Sequence, residues 1–301
     1  MAVALSHQGS FGFALQAERG VWETPDNWLP LMEAGSGGTA DTVALRKNYV
    51  PLDLADMRAY QSQYFSAGEW VEGQVCFPLV PGTLTDLLAW IQQRDGDNQG
   101  RWASAVIDCV HEVKQILDLK VRRATLDFVV GEPVLCTLEV VGPGLASGSA
   151  PTPAMPAAPP YLFREATVQL RQGGSLQADA NCERIRVVLD TGLQKPEEGL
   201  RLTPAAGPQE LYNLSGVRAW GALSRDFVDN AVYLDFATGT EAALTVSLQR
   251  GTVTAAVSLP RTVWTADHLG LPGSHEQRIV EKVEFLALGS LNGATPPVVL
   301  V

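Results

Sequence analysis

Alternation of apolar and polar residues is the sequence feature that most constrains the fold of this chain. One such run has apolar residues at Ala124, Leu126, Phe128 and Val130, and after Gly131-Glu132 again at Val134, Cys136, Leu138 and Val140. Successive side chains of a strand point to opposite faces, so a period of two predicts a β-hairpin with one buried face. The same pattern surrounds Arg250-Gly251, from Leu244 to Leu259. We therefore expect a mainly β fold.

Helical spacing is confined to short segments. Leu84, Leu87, Leu88 and Ile91 follow the i, i+3, i+4, i+7 pattern, and Thr83-Leu-Thr-Asp86 resembles a capping box. This predicts a helix from Thr83 that ends by Asp95-Gly96. A weaker pattern between Asp226 and Thr238 predicts a second helix, so the expected fold is a β-sandwich or barrel with flanking helices.

The chain divides near its middle at a segment rich in Pro, Ala, Gly and Ser. Residues 143–160 predict an extended linker between a first β domain, 1–142, and a second, 161–301, because Pro156-Ala-Ala-Pro-Pro160 fits neither a sheet nor a helix. Leu54–Tyr60 and Leu214–Trp220 also resemble each other, sharing Leu, Arg and Ala. We expect one fold to be duplicated, with a chance similarity as the alternative.

Charge argues against a protein that grips nucleic acid. The formal net charge is −11 and no lysine-rich run occurs, whereas tight binding to phosphates needs Lys and Arg. An acidic surface would let DNA pass without sticking, although the charge also fits a role in solubility alone. Charged residues make up only 18% of the chain, which suggests a surface covered by neighbouring subunits.

The cysteines and the N-terminal sequence predict synthesis in a reducing cytoplasm. The four cysteines are scattered, and the strand-like runs around Cys76 and Cys136 are typical of buried free thiols. Neither an export signal nor an apolar run of membrane-spanning length is found, so no membrane partner is expected.

Motifs for catalysis or cofactor binding are incomplete. Asp95–Gly100 begins like a calcium loop, but Val106 stands where a carboxylate is required. Asp108-Cys-Val-His111 lacks a second ligand pair for a metal. Carboxylates such as Glu69 and Glu72 could form a glycosidase pair, but solvated strand residues are the simpler interpretation. We expect neither an enzyme nor a cofactor.

An irregular arm is predicted at about residues 22–48. Its apolar residues lie among prolines and glycines, and they are Trp22, Trp28, Leu29, Leu31 and Met32. Aromatic residues are enriched in interface cores, so this arm is the candidate contact between subunits or rings. The alternative is an arm that folds back over the core of its own domain.

The chain resembles the tail tube proteins of long-tailed bacteriophages. The resemblance rests on Gly9–Gly20, the arm that follows, the strand segment Gly68–Phe77, the helix from Thr83 and the later hairpins, in that order. It implies a structural virion protein with a β-sandwich or barrel core. In this family, subunits form rings that stack into a hollow tube through which DNA leaves.

The resemblance also implies partners. They are other copies of the chain, in a trimeric ring if the core is duplicated or a hexameric one if not, together with the tape measure, tail terminator and distal tail or baseplate proteins. DNA would pass through the lumen without tight binding. The candidate acidic residues of the lumen are Glu69, Glu72, Asp127 and Glu139.

Two other functions fit the same sequence. A β-sandwich that binds carbohydrate on a virion or cell surface would use its tryptophans to stack on sugars. A tail terminator or baseplate hub would share the fold but stop at one ring. Assembly without ligand would distinguish the tube protein from the binding module.

Overall fold

The computed structural model describes residues 9–32, 43–51, 64–94, 100–108, 113–146, 151–172, 175–200, 207–208, 210–270, 278–291, 293 and 295–300. The strands of the first half, β1 to β8, are Ser10–Leu15, Asn27–Pro30, Ala44–Pro51, Tyr64–Pro78, Ala103–Asp108, Val113–Val129, Leu135–Gly142 and Leu145–Ala146. Those of the second half, β9 to β16, are Ala166–Gln172, Ser175–Ala178, Cys182–Asp190, Arg218–Asp226, Ala242–Arg250, Val253–Gly270, Val280–Ala287 and Val299–Leu300. Helix α1 spans Leu84–Gln92 and helix α2 spans Ala231–Thr238.

The mainly β prediction is confirmed. β6 and β7 form the hairpin predicted around Gly131, and β13 and β14 form the one predicted around Gly251. The helix predicted from Thr83 is α1, whose Leu87 and Ile91 are fully buried. The second helix, α2, is shorter than the segment predicted for it and buries only Val232.

Antiparallel pairing joins the described strands into one network. Its main path runs β10-β9-β13-β14-β15-β12-β11-β6-β5-β1-β2, and β6 also pairs with β7, which continues to β4 and β3. The two halves meet where β6 of the first pairs with β11 of the second. The larger cluster of buried apolar side chains extends through both halves, from Phe11 to Val298.

Each strand pairing within the first half has a counterpart within the second. The first-half pairs are β1·β2, β1·β5, β3·β4, β4·β7, β5·β6, β6·β7 and β6·β8. The second-half pairs, in the same order, are β9·β10, β9·β13, β11·β12, β12·β15, β13·β14, β14·β15 and β14·β16. Helix α1 follows β4 as α2 follows β12.

The register irregularities repeat as well. The β6·β7 pairing shifts between Val121 and Arg123, and the β14·β15 pairing shifts between Trp264 and Ala266. The two shifts occupy equivalent places, and this fixes which residues of the two halves are equivalent. Through the registers of β4 with β7 and of β12 with β15, Gly73 of β4 corresponds to Gly221 of β12. This alignment matches Arg218–Trp220 with Trp70–Glu72. The repeated pairings therefore do not align Leu214–Trp220 with Leu54–Tyr60, the similar segment that lies outside the described residues.

Three cysteines are buried free thiols, as predicted: Cys76, Cys136 and Cys182. Burial raises the pKa of Cys182 to about 12, which keeps its thiol protonated. Cys109 lies outside the described residues. No helix in the described part of the chain has the length and apolar character to cross a membrane.

Candidate assembly surfaces

A polar sheet face, formed by β4, β7, β6 and β11, is the first candidate surface. The registers place Gln74 beside Glu139, Glu139 beside Arg123, and Arg123 beside Asp190. Residues two apart on one strand share a face, so Asp127 of β6 lies on the same side as Arg123. An open depression of about 550 Å³ follows this face.

Three of the four predicted lumen acids share this polar sheet face. They are Glu72, Asp127 and Glu139, whose strands the sheet brings side by side. Glu69 is an odd number of residues from Glu72 on β4, so it points to the other side, where its carboxylate lies 3.4 Å from Lys47 Nζ.

Every one of these three acids is paired with arginine. Asp127 Oδ2 accepts hydrogen bonds from Arg184 Nη2 at 2.6 Å and from Arg186 Nη2 at 2.7 Å. Arg123 bridges two carboxylates on this face, with Nη1 3.5 Å from Glu139 Oε1 and Nη2 3.4 Å from Asp190 Oδ2.

The remaining pair completes a balance of charge. Arg46 Nε of β3 lies 3.3 Å from Glu72 Oε1. The named acids of the face are thus offset by named guanidinium groups, rather than forming the purely acidic surface that the net charge of the chain suggests.

Asp127 is the centre of the pairing. Burial alone would raise the pKa of its carboxyl, but the hydrogen bonds from Arg184 and Arg186 outweigh that effect and hold the pKa below its usual value. Asp127 is therefore ionised at neutral pH, and its charge holds both guanidinium groups against the sheet.

Sequence reasoning missed these arginines. Arg184 and Arg186 stand two apart on β11, which places both on one face, but nothing local indicates that β11 lies beside β6. The signal available in the sequence was the alternation of Arg with Ile185 and Val187, a pattern that predicts a charged strand face without naming its partner.

The predicted arm contains regular structure. Asn27–Pro30 form β2, which pairs with β1, and Trp28 and Leu29 are both buried, with Leu29 in the larger apolar cluster. An indole ring packs over Gly12, and Trp28 Nε1 donates a hydrogen bond to the carbonyl of Pro25 at 3.1 Å. This corrects the expectation of an irregular arm: these two side chains are not available for contact with another chain.

The other arm residues differ in exposure. Leu31 packs partly against the core, Trp22 is half-buried and Met32 is exposed. Residues 33–42 of the arm lie outside the described residues. Of the five predicted contact residues, Met32 is the one whose side chain the fold leaves most open.

Two strand edges form the second candidate surface. Among the described strands, β3 pairs only with β4, which leaves its other edge open. β14 pairs with β15 along residues 262–270, and the opposite edge of that stretch has no partner in the described part of the chain. Unpaired edges offer backbone groups to another strand.

Chemistry for a metal site is not evident in the described residues, where no group of three or more His, Cys, Asp or Glu side chains is placed to hold an ion. The calcium-like loop and the segment ending at His111 fall largely outside those residues.

A search of curated proteins found no match to the chain. The sequence model of the family described as phage tail tube protein matches residues 2–287, which is nearly the whole chain. The chain therefore belongs to the phage tail tube protein family.

Proposed function

We propose that this chain is the building block of a phage tail tube, and that its copies join side by side into rings that stack around a channel for DNA. The observation that carries the proposal is the family match, which extends across both halves of the chain. The two open strand edges support it, because a ring removes edges that would be hazards in a monomer.

Three chains complete each ring in this proposal. The repeated strand pairings support two units of one fold in each chain, corresponding to the domains 1–142 and 161–301, so three chains supply six units. A head-to-tail contact that repeats the same rotation closes into a ring, and a trimer of paired units has pseudo-sixfold symmetry.

The polar sheet face is proposed to line the channel. Glu72, Asp127 and Glu139 lie there with their arginine partners. Because these arginines are already paired with carboxylates, they have little to gain from a DNA phosphate, and DNA would slide rather than bind. Met32 is proposed to contact the next ring.

In the virion the tube also meets other tail proteins. By family resemblance these are the tape measure protein inside the tube, and the terminator and distal tail or baseplate proteins at its ends. The proposed role is structural, with no catalytic step.

Electron microscopy and native mass spectrometry of the purified chain test the proposal. We expect rings or tubes in images and a predominant species of three chains, about 97 kDa from a chain of 32.3 kDa. A monomer at all concentrations would refute the tube function. Rings of six chains would refute the trimer alone, and single rings that never stack would favour a terminator or hub.

A further inference from the structure

The contact between the two halves of the chain is a template for a contact between chains. Within the chain, β11 lies antiparallel to β6, with Val188 opposite Thr125 and Asp190 opposite Arg123. Residues 123–127 of β6 have β7 on one edge and β11 on the other. In the repeated pattern, β14 corresponds to β6 and β3 corresponds to β11.

The corresponding edge of β14 is open. Thr262 pairs with both Ala242 of β13 and Ala287 of β15, so these two strands lie on opposite edges of β14. The pairing with β13 ends there, while that with β15 continues to Gly270. Residues 263–270 thus have a free edge in the described structure, and residues 266–270 are equivalent to the part of β6 that receives β11.

The register of the missing pairing follows from the alignment of the halves. The shifts beside Arg123 and Ala266 make Thr125 equivalent to His268 and Leu126 equivalent to Leu269. For the strands β3 and β11, Ala44 of β3 pairs with Glu72 just as Val188 of β11 pairs with Trp220.

Because Glu72 and Trp220 directly precede the equivalent Gly73 and Gly221, Ala44 is equivalent to Val188. Leu45 is then equivalent to Leu189. The alignment therefore assigns a partner to each of Ala44, Leu45 and Arg46, at the start of the open edge of β3.

Apolar exposure supports the same assignment. Leu189 and Leu126 are fully buried where β11 and β6 meet. Their equivalents on the open edges, Leu45 and Leu269, are 38% and 48% exposed. Both edges therefore carry an apolar side chain at a position that the contact within the chain covers.

We propose that residues 43–46 of one chain, at the start of β3, add antiparallel to residues 266–269 of β14 in a second copy, with Ala44 opposite His268 and Arg46 opposite Ala266. The contact is head-to-tail and repeats the operation that relates the two halves within a chain, so it propagates around a ring. This inference rests on the proposed function and specifies which strands join the subunits.

Cysteine cross-linking tests the register. The variant carrying Ala44→Cys and His268→Cys should oxidise into a covalent multimer, because directly opposite Cβ atoms lie about 4.5–5.5 Å apart. An off-register variant, Ala44→Cys with Ala266→Cys, should link at least about tenfold more slowly, because diagonal neighbours are about 7–8 Å apart.

A matched control is available inside the chain. Thr125→Cys with Val188→Cys occupies the equivalent positions where β6 and β11 meet, and it should form a bond within one chain without multimers. Multimers that form equally fast with the on-register and off-register pairs, or no multimer from the on-register pair in assembled protein, would overturn the proposed contact.

A second variant separates this contact from the tube function. Leu269→Lys places a charge on the open edge and should reduce the ring fraction at least about tenfold while the chain stays folded. Leu291→Lys, at a residue that is 96% exposed in a loop, should leave rings intact. Normal rings from Leu269→Lys would refute the β3–β14 contact alone, whereas an unaltered chain that forms no rings would refute the proposed function.

Discussion

At the scale of single residues, the affinity of the polar sheet face for DNA depends on which of its arginines are already paired with carboxylates. Arg184 and Arg186 both donate to Asp127, and Asp127 is the acid that holds them. A guanidinium group without its carboxylate would be free to neutralise a phosphate and release counterions. The acidic residues of this face thus keep its arginines paired, so that the arginines are not free to bind DNA phosphates.

We predict that Asp127→Asn creates binding to double-stranded DNA. Two guanidinium groups lose their anionic partner, so affinity should rise at least about tenfold at low salt and fall steeply as salt increases. Fluorescence anisotropy with labelled DNA over a salt series measures this. Glu241→Gln, which frees Arg261 outside this face, is the matched control and should change affinity much less. Equal gains in the two variants would contradict a special role for the polar sheet face.

A second residue cluster lies buried in the other half. Arg225, 2% exposed, has Nη1 2.9 Å from Asp179 Oδ2 and Nε 2.7 Å from Glu281 Oε2. Asp229 also lies near this guanidinium, and the charge of Asp267 adds to the rise in the pKa of Glu281. Among the described residues, neither carboxylate oxygen of Glu281 accepts a well-directed hydrogen bond.

Burial raises the pKa of Glu281, and Arg225 only partly offsets it. A carboxyl whose folded pKa is raised contributes stability that is full below its unfolded pKa and is lost as pH rises through the folded pKa. Burial likewise raises the pKa of Asp267. This cluster therefore favours the folded state at mildly acidic pH.

We predict that Arg225→Met lowers the free energy of unfolding by about 3–5 kcal/mol at pH 7, because it leaves buried carboxylates uncompensated. The loss should shrink as pH falls and Glu281 takes up a proton. Urea unfolding between pH 4.5 and 8 measures both. Arg278→Met breaks exposed pairs to Glu183 and Asp226, so its effect should be about 1 kcal/mol or less. A loss for Arg225→Met that does not depend on pH would contradict this account.

At the scale of elements, β2 shows how a segment that looks irregular becomes part of the core. Its four residues pair with β1, where the absence of a side chain at Gly12 leaves room for the Trp28 ring. A Cβ at residue 12 would lie 2.8 Å from that ring. The strand is short, but it is the last strand at one end of the main path of the sheet.

We predict that Trp28→Ala lowers the free energy of unfolding by about 3–5 kcal/mol, because it leaves a buried cavity over Gly12. Met32→Ser, at the exposed end of the same segment, should change it by about 0.5 kcal/mol or less. Chemical denaturation of unassembled protein measures both. A folded Trp28→Ala chain of unchanged stability that fails to assemble would restore the original interpretation of Trp28 as a contact residue.

At the scale of the whole molecule, the two halves differ in the side chains that lie beside the equivalent strands β6 and β14. Where β11 meets β6, the first half supplies Phe77, Cys136 and Ala124. At the equivalent positions of the second half stand Arg225, Glu281 and Asp267. The contact of β6 with β11 joins parts of one chain and is permanent. The proposed contact between chains would instead form beside a charged cluster whose protonation changes with pH.

The sequence by itself determined the local elements. Period-two alternation identified the hairpins of β6 with β7 and β13 with β14, and the spacing of Leu84, Leu87 and Ile91 identified α1. These patterns are readable because a side chain's direction depends on its near neighbours in the chain. The resemblance to tail tube proteins also rests on the order of such elements.

Only the tertiary structure decided which distant strands meet. The pairing of β6 with β11 brings Asp127 to Arg184 across 57 residues of sequence, and no local pattern specifies that choice. The burial of Trp28 depends in the same way on the shape of β1 beside it. Sheet partners are chosen by the packing of the whole core, because any strand edge can offer the same backbone hydrogen bonds to many others.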